Sequence, residues 1–432
     1  MNYAKQIALC TLATLIGTSQ TQASEIGMSV KLDRTSLIRG STEDHFVIVE
    51  VTAPDNMDGP RAPADVALVV DTSGSMSGEK IANARTAARE LVESLGVEDR
   101  VSVVRFSSGS VLAAPLTPTT RGESAFRAID DLYASGGTNL YSGLKDGLDS
   151  LKTTPGRVQR VVLLSDGHPN SINGLVDMAR GAIEDGTTVS TVGLGLDVNA
   201  KLLYDIGYAG GGSYHFVDKP GQLAALFADE VRRITSVAAK QVTVDVQLTP
   251  GVEVLDVYGY DAVIRGGGYS VPVGDLHAGQ TKKLIMRVRI PTILPGTLDI
   301  ADVRTRYAPT DGVGESELRR NVRVDITTDV SASKASVDED TLLKGVSAEI
   351  AEARYRANKL WAEGQAASAR DHFETARKAV AARVASSGTA ALAALSSEVA
   401  DERRTVEARA AGSHGARLGE MQALEALGYI TH

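Results

Sequence analysis

The run Asp71-Thr72-Ser73-Gly74-Ser75-Met76 sets one carboxylate and two hydroxyls within a single turn's length of chain. It follows the apolar run 66–70 and precedes a helical period beginning near residue 78. A strand-to-helix turn at the carboxyl edge of a parallel sheet would present all three oxygens to one point. These are hard donors, suited to Mg²⁺, Ca²⁺ or Mn²⁺ and not to thiophilic metals. Gly74 permits a close backbone approach, and Met76 reads as packing. Two later segments would reach the same edge. Gly136-Gly137-Thr138-Asn139 opens a helical period at 140, and Ser165-Asp166-Gly167 closes an apolar run at 161–164. They add the Thr138 hydroxyl and the Asp166 carboxylate. Asn139, His168 and Ser108 are candidates for a ligand-binding rim, with solvated side chains as the plainer reading.

The elements that must position these residues are legible from about 65 to 236. Short apolar runs (66–70, 101–104, 161–164, 189–194 and 214–217) alternate with helical periods at 78–95, 121–133, 140–152, 172–185, 198–208 and 220–237. The first helix carries Ile81, Ala84, Ala88, Leu91, Val92 and Leu95 on one stripe. Such alternation predicts a mostly parallel sheet covered by helices on both faces, with ligands beyond the carboxyl ends of its strands. The glycines at 210–212 lie between a helix and a strand, the wrong order for a nucleotide-binding loop.

Residues 65–236 resemble a von Willebrand factor type A domain, a Rossmann-like fold related to the integrin inserted domain. The positions of that family's metal-ion-dependent adhesion site match Asp71, Ser73 and Ser75, then Thr138, then Asp166. The resemblance implies that Ser73 and Ser75 ligate a divalent cation directly, and that Thr138 does so when ligand is bound. Asp71 and Asp166 would act mainly through water and by orienting the serines. The cation, Mg²⁺ first with Ca²⁺ or Mn²⁺ as alternatives, would accept a Glu or Asp carboxylate from a protein partner. A metal that only staples the sheet edge is the bland alternative. The whole arrangement is also similar to secreted bacterial calcium-activated chloride channel homologues and, distantly, to inter-alpha-trypsin inhibitor heavy chains.

Outside this region the pattern is that of strands. Residues 28–33 alternate, 46–51 are almost wholly apolar, and runs at 242–248, 252–258, 269–273, 282–290 and 322–326 are separated by Gly, Pro and Asp turns. They predict a β-sandwich over 238–330 that also takes in 24–62, so that the α/β domain is inserted in it or flanked by it; a separate N-terminal module is the rival. Residues 331–337 read as a polar linker, and 338–432 as a helical region with a last short helix at 417–427. Within it, Trp361, Ala366, Ala369, Phe373 and Ala376 resemble one loose helical-hairpin repeat. The expected fold class is therefore multidomain: α/β, all-β and α.

Composition narrows the partners. The 432 residues carry 45 Lys and Arg against 54 Asp and Glu, a formal charge of −9 that argues against nucleic acid as the main partner. Lys5, the apolar stretch 7–16 and the small residues near Ala23 read as a signal peptide over 1–23, with an uncleaved anchor as the alternative. The one cysteine, Cys10, falls inside it, which excludes disulfides and thiol catalysis from the processed chain. No later segment is apolar and long enough for a transmembrane helix. The expectation is a periplasmic or secreted adhesion or interaction protein and not an enzyme, since no Gly-x-Ser-x-Gly or His-Glu-x-x-His motif occurs. The alternative is a subunit of an envelope complex that docks through its C-terminal helices.

Overall fold

The structure is a computed structural model describing residues 26–395, apart from 56–60, 152–155, 196–197, 218, 261, 266–267, 311–313, 363 and 388–391. The segment 1–23 with Cys10, and the expected helix at 417–427, lie outside the described residues. The chain opens with strands β1 (Gly27–Leu32), β2 (Ser36–Ile38) and β3 (Asp44–Thr52). An α/β body follows: β4 (Ala64–Asp71), α1 (Glu79–Ser94), β5 (Arg100–Phe106), β6 (Ser110–Pro118), α2 (Glu123–Asp130) and α3 (Leu140–Ser150). It continues with β7 (Val158–Ser165), α4 (Leu175–Glu184), β8 (Thr187–Leu194), α5 (Ala200–Ala209), β9 (Gly211–Val217) and α6 (Leu223–Thr235). Then come β10 (Val237–Leu248), β11 (Glu253–Tyr258), β12 (Val263–Arg265), β13 (Gly268–His277) and β14 (Thr281–Arg289). The last elements are β15 (Gly296–Pro309), β16 (Ser316–Thr327), α7 (Val330–Ala335), α8 (Glu339–Ala362) and α9 (Ala366–Ser387).

The α/β body is built on a sheet of order β6-β5-β4-β7-β8-β9, parallel except for the antiparallel edge strand β6. Every residue of β4, β7 and β8 is buried, as expected of strands covered on both faces. Alternation sorts their side chains into two cores. Val66, Leu68 and Val70 pack toward α1, α2 and α6, while Ala67 and Val69 pack toward α3, α4 and α5. Strand order reverses between β4 and β7, so a crevice opens beyond their carboxyl ends.

The remaining strands form two sheets face to face. One has the order β1-β3-β14-β11; the other has the order β12-β13-β10-β15-β16-β2. The early strands are thus integral to the sandwich: β3 lies between β1 and β14, and β2 pairs in parallel with β16. Val47, Val49 and Val51 of β3 enter the sandwich core with Val244, Val246, Met286 and Val288. On the opposite face of β3, Phe46 packs with Leu342 and Val346 of α8. That two-sided burial is why the segment reads as a nearly unbroken apolar run, interrupted only by Glu50. Helices α8 and α9 form a pair laid over this outer face, and no helix among the described residues is long and apolar enough to cross a membrane.

Several elements depart from the sequence expectation, among them the three-residue strands β2 and β12, which are too short to show a period. Strand β6 is not predicted by periodicity, because it is an edge strand with prolines and only Ala114 fully buried. Nor is β15, a strand of 14 residues, because buried Thr305 and Ala301 stand where larger apolar side chains would mark its period. The polar stretch at 331–337 is not a linker throughout: α7 forms there, with the Asp329 side chain accepting from the N–H groups of Ser331 and Ala332.

Candidate functional site

Three loops meet at the crevice between β4 and β7, and backbone hydrogen bonds tie them together. Gly74 N–H donates to Gly136 O at 3.0 Å, Ser135 N–H to Thr72 O at 2.7 Å, and Asn170 N–H to Thr138 O at 2.9 Å. Loop positions are therefore set mutually and not by each loop alone. Thr72, the intervening residue of the Asp-x-Ser-x-Ser run, bonds through its N–H and its hydroxyl to Phe106 O, which fixes the first loop to β5.

Within this frame Asp71 is fully buried at the end of β4. Its Oδ1 accepts from Ser73 N–H at 2.8 Å, and its Oδ2 accepts from Ser165 Oγ at 2.6 Å. Both carboxylate oxygens thus brace neighbouring loops. Burial pushes the Asp71 carboxyl up from its usual range; its bonds to Ser165 and Ser73 oppose that, and the charge of Asp166 adds to it. Ser73 Oγ and Ser75 Oγ share a hydrogen bond at 3.0 Å, and Ser75 Oγ donates to Asp166 Oδ1 at 2.7 Å. A methyl group at Gly167 would lie 3.5 Å from Ser75 Oγ and 3.6 Å from Thr138 Oγ1, so these two hydroxyls border one small space beside the glycine. The structure thus brings Asp71, Ser73, Ser75, Thr138 and Asp166 to one sheet edge. Two carboxylates and three hydroxyls make an all-oxygen donor set, which fits a hard divalent cation. Among the described residues no group of three or more His, Cys, Asp and Glu converges anywhere. A site of this kind depends on hydroxyls instead.

The rim residues have separate places. Asn139 caps α3, its Oδ1 accepting from Ser142 N–H at 3.1 Å. Ser108 Oγ accepts from Gly137 N–H at 2.9 Å and so anchors the second loop. His168 is exposed on the third loop. Lys80 has a role the sequence does not disclose. Its Nζ stands 2.5 Å from Asp166 Oδ2, with the lysine side chain 27% exposed and the aspartate fully buried. The available signal is its place in the first turn of α1, the helix that the motif opens; its partner is 86 residues away in sequence. Ser165, the brace of Asp71, is visible in the sequence only as a neighbour of Asp166.

Comparison with known proteins bears on the domain and its fold. Residues 65–229 match the family described as von Willebrand factor type A domain. An uncharacterized protein of Synechocystis sp. is 27% identical over 296 residues, 65% of this chain and 70% of that protein. Human inter-alpha-trypsin inhibitor heavy chain H2 is 28% identical over 172 residues, 36% of this chain and 18% of that protein. Among solved structures, a von Willebrand factor type A protein from Catenulispora acidiphila superposes with a TM-score of 0.70 at 18% identity. The match covers 85% of this chain and 88% of that one. The ArnB paralog VWA2 from Sulfolobus acidocaldarius gives a TM-score of 0.63 at 18% identity, over 94% and 100% of the two chains. At these identities the structural likeness shows the fold, which extends well beyond the α/β body. Sheet order, the crevice at the strand-order reversal and the family match over 65–229 together identify this part of the chain as a von Willebrand factor type A domain.

Proposed function

We propose that this chain is an interaction protein that holds an acidic side chain of a protein partner on a divalent cation at Asp71, Ser73, Ser75, Thr138 and Asp166. Mg²⁺ is the first candidate and Ca²⁺ or Mn²⁺ the alternatives. Proteins with this domain commonly mediate protein–protein interaction. The observation that carries the reading is the cross-tied set of three loops, which turns Ser75, Thr138 and Asp166 to one cradle at Gly167. A cation held there would supply a positive centre able to accept a carboxylate oxygen.

The chain's own residues prepare that role. Asp71 orients Ser73 and Ser165. Lys80 offsets Asp166, so two carboxylates and one ammonium leave the protein site with a single net negative charge. Adding a divalent cation turns that charge positive, which favours an anionic partner. Tyr133, Tyr141 and Ile172, exposed by 56%, 42% and 56%, flank the second and third loops and offer apolar contact around the charged centre. The two serines bond to each other, and Ser75 to Asp166, not to a histidine base, which supports binding over catalysis. The apolar face of α8 is committed to the sandwich, which favours the cation site over the C-terminal helices as the docking surface. Segment 1–23 supports export, so the partner would be met in the periplasm or outside the cell.

The test is a pair of measurements on wild type and Asp71→Ala. Calorimetry should show Mg²⁺ binding only to the wild type, with both proteins giving the same circular dichroism. Immobilised wild type should retain a partner from envelope extract in Mg²⁺ but not in EDTA, and Asp71→Ala should retain it in neither. Equal Mg²⁺ affinity in the two proteins would overturn the reading.

A further inference from the structure

A cavity of about 470 Å³ lies where the α/β body, the sandwich and α8 meet. It is at the amino edge of the parallel sheet. Its wall includes Arg160, the third residue of β7, whereas the cation site lies beyond Ser165 at the other end of that strand. At strand rise the two are about 17–20 Å apart. The size is that of a small-molecule site.

Its chemistry is one-sided. Arg160, Arg233, His277, Lys282, Lys283 and Lys344 line it, and among the described residues no Asp or Glu does. The carboxylates stand behind the wall. Glu230 and Asp275 flank Arg160 at 3.4 and 3.6 Å, Asp229 lies 3.9 Å from Arg233, and Glu50 and Asp340 hold Lys344. Lys282 differs from these. Its Nζ donates to Val273 O at 2.6 Å, and among the described residues no carboxylate is within ion-pair distance of it. Nearby, His277 Nδ1 and the Nε and a terminal nitrogen of Arg160 are buried without a hydrogen-bond partner. A desolvated ammonium without a direct ion pair, beside nitrogens that lack hydrogen-bond partners, is costly unless an anion joins it. The field is felt locally. Burial and the charges of Arg160 and Lys282 press His277 down to about 3, and burial with Arg160 and Arg233 presses Lys282 down to about 8, against the opposing pull of Asp275.

The opposite wall is aromatic. Tyr204 and Tyr208 stack with ring centroids 5.8 Å apart, and Tyr208 meets Tyr260 of the sandwich at 6.5 Å. All three line the cavity. We infer that this cavity binds a small organic anion, its phosphate or carboxylate paired with Lys282 and its body resting against the tyrosines. The ligand would touch all three parts of the chain at once.

Phenyl phosphate, inorganic phosphate, benzoate and neutral phenol are suitable probes. Calorimetry on the full chain should show saturable binding of phenyl phosphate or benzoate. Inorganic phosphate should bind more weakly, for lack of an aromatic body, and phenol should not bind. Lys282→Met should weaken the anions about tenfold or more, the loss expected for a charge-assisted bond. Asp71→Ala, at the other sheet edge, should bind them as wild type does. A second readout needs no variant. At pH 8 Lys282 has a larger free-amine fraction than an ordinary lysine, and the bound anion should slow its acylation severalfold in wild type. No saturable binding of either aromatic anion, equal affinity in Lys282→Met, or unchanged Lys282 labelling with phenyl phosphate present would each overturn the proposal.

Discussion

At the scale of single residues, the candidate site was legible where its parts are adjacent in sequence and obscure where they are not. Asp71, Ser73 and Ser75 announce themselves by spacing, and Thr138 and Asp166 follow from strand-then-loop context. Lys80 does not, because an isolated lysine on an amphipathic helix reads as a solvated charge until its distant partner is known. Its position leads to a prediction. An ammonium against Asp166 opposes an incoming cation by like charge, and its removal leaves the loaded site less attractive to an acidic ligand. Lys80→Met should tighten Mg²⁺ binding, up to about tenfold, while weakening capture of the acidic partner. Calorimetry and the capture assay read these separately, and a loss of both would show that Lys80 is needed to hold the loop together. Asn139 and Ser108 illustrate the reverse case: polar residues beside the motif are used to cap a helix and anchor a loop.

At the scale of elements, the second loop is placed by the close docking of α3. Gly143 and Gly147, one turn apart, are both buried. A methyl at Gly143 would sit 2.5 Å from the Phe106 ring, and one at Gly147 would sit 2.5 Å from Val69. The glycines let the helix lie close on β4 and β5, and Thr138 stands just before its first turn. Gly143→Ala should gain helix propensity yet lose about 1–3 kcal/mol net through overpacking. It should also weaken cation binding, because α3 carries Thr138 outward with it. Urea denaturation and Mg²⁺ titration on the same protein would check both. Of the elements missed from sequence, β6 and β15 share a cause. Strand periodicity is a record of burial, and it fades where the strand lies at an edge or buries Thr and Ala in place of larger side chains.

At the scale of the whole molecule, the buried polar cluster between the α/β body and the sandwich makes stability dependent on pH. His277 is held neutral, down to about 3 against an ordinary 6.5. Glu230 is held ionised, down to about 2 from 4.5: burial pushes it up, but His215, whose Nε2 stands 3.7 Å from its Oε2, and the charge of Arg160 outweigh that. The unfolded chain therefore takes up a proton at His277 below pH 6.5, and one at Glu230 below pH 4.5, that the folded chain refuses. Both effects act in one direction. Their stabilising contribution is intact above pH 6.5 and is lost progressively as pH falls toward 3 and then 2. Each pH unit over which one such proton is refused costs on the order of 1.4 kcal/mol, so the folded protein should lose a few kcal/mol from this cluster between about pH 7 and pH 4. Urea midpoints across that range should fall in wild type and fall less in His277→Gln. The insertion of one domain within another was legible only indirectly. Two strand-rich stretches stand on either side of the alternating helices and strands of 65–236, and the first is too short to complete a sheet alone.

The route by which the chain enters and leaves the α/β body has a mechanical meaning. Entry is at Pro54, whose carbonyl accepts from Gly279 N–H, and Ala53 N–H donates to Gln280 O. Exit is at Ser236, whose carbonyl accepts from Ala278 N–H, directly before β10. Both tethers are thus clasped by the single turn at 277–280, and each continues into an interior strand, β3 in one sheet and β10 in the other. A pull applied at the candidate site would reach the sandwich as tension shared between two sheets. Each loaded strand is flanked on both sides, so the force would be resisted by shearing whole ladders together and not by peeling one edge bond by bond.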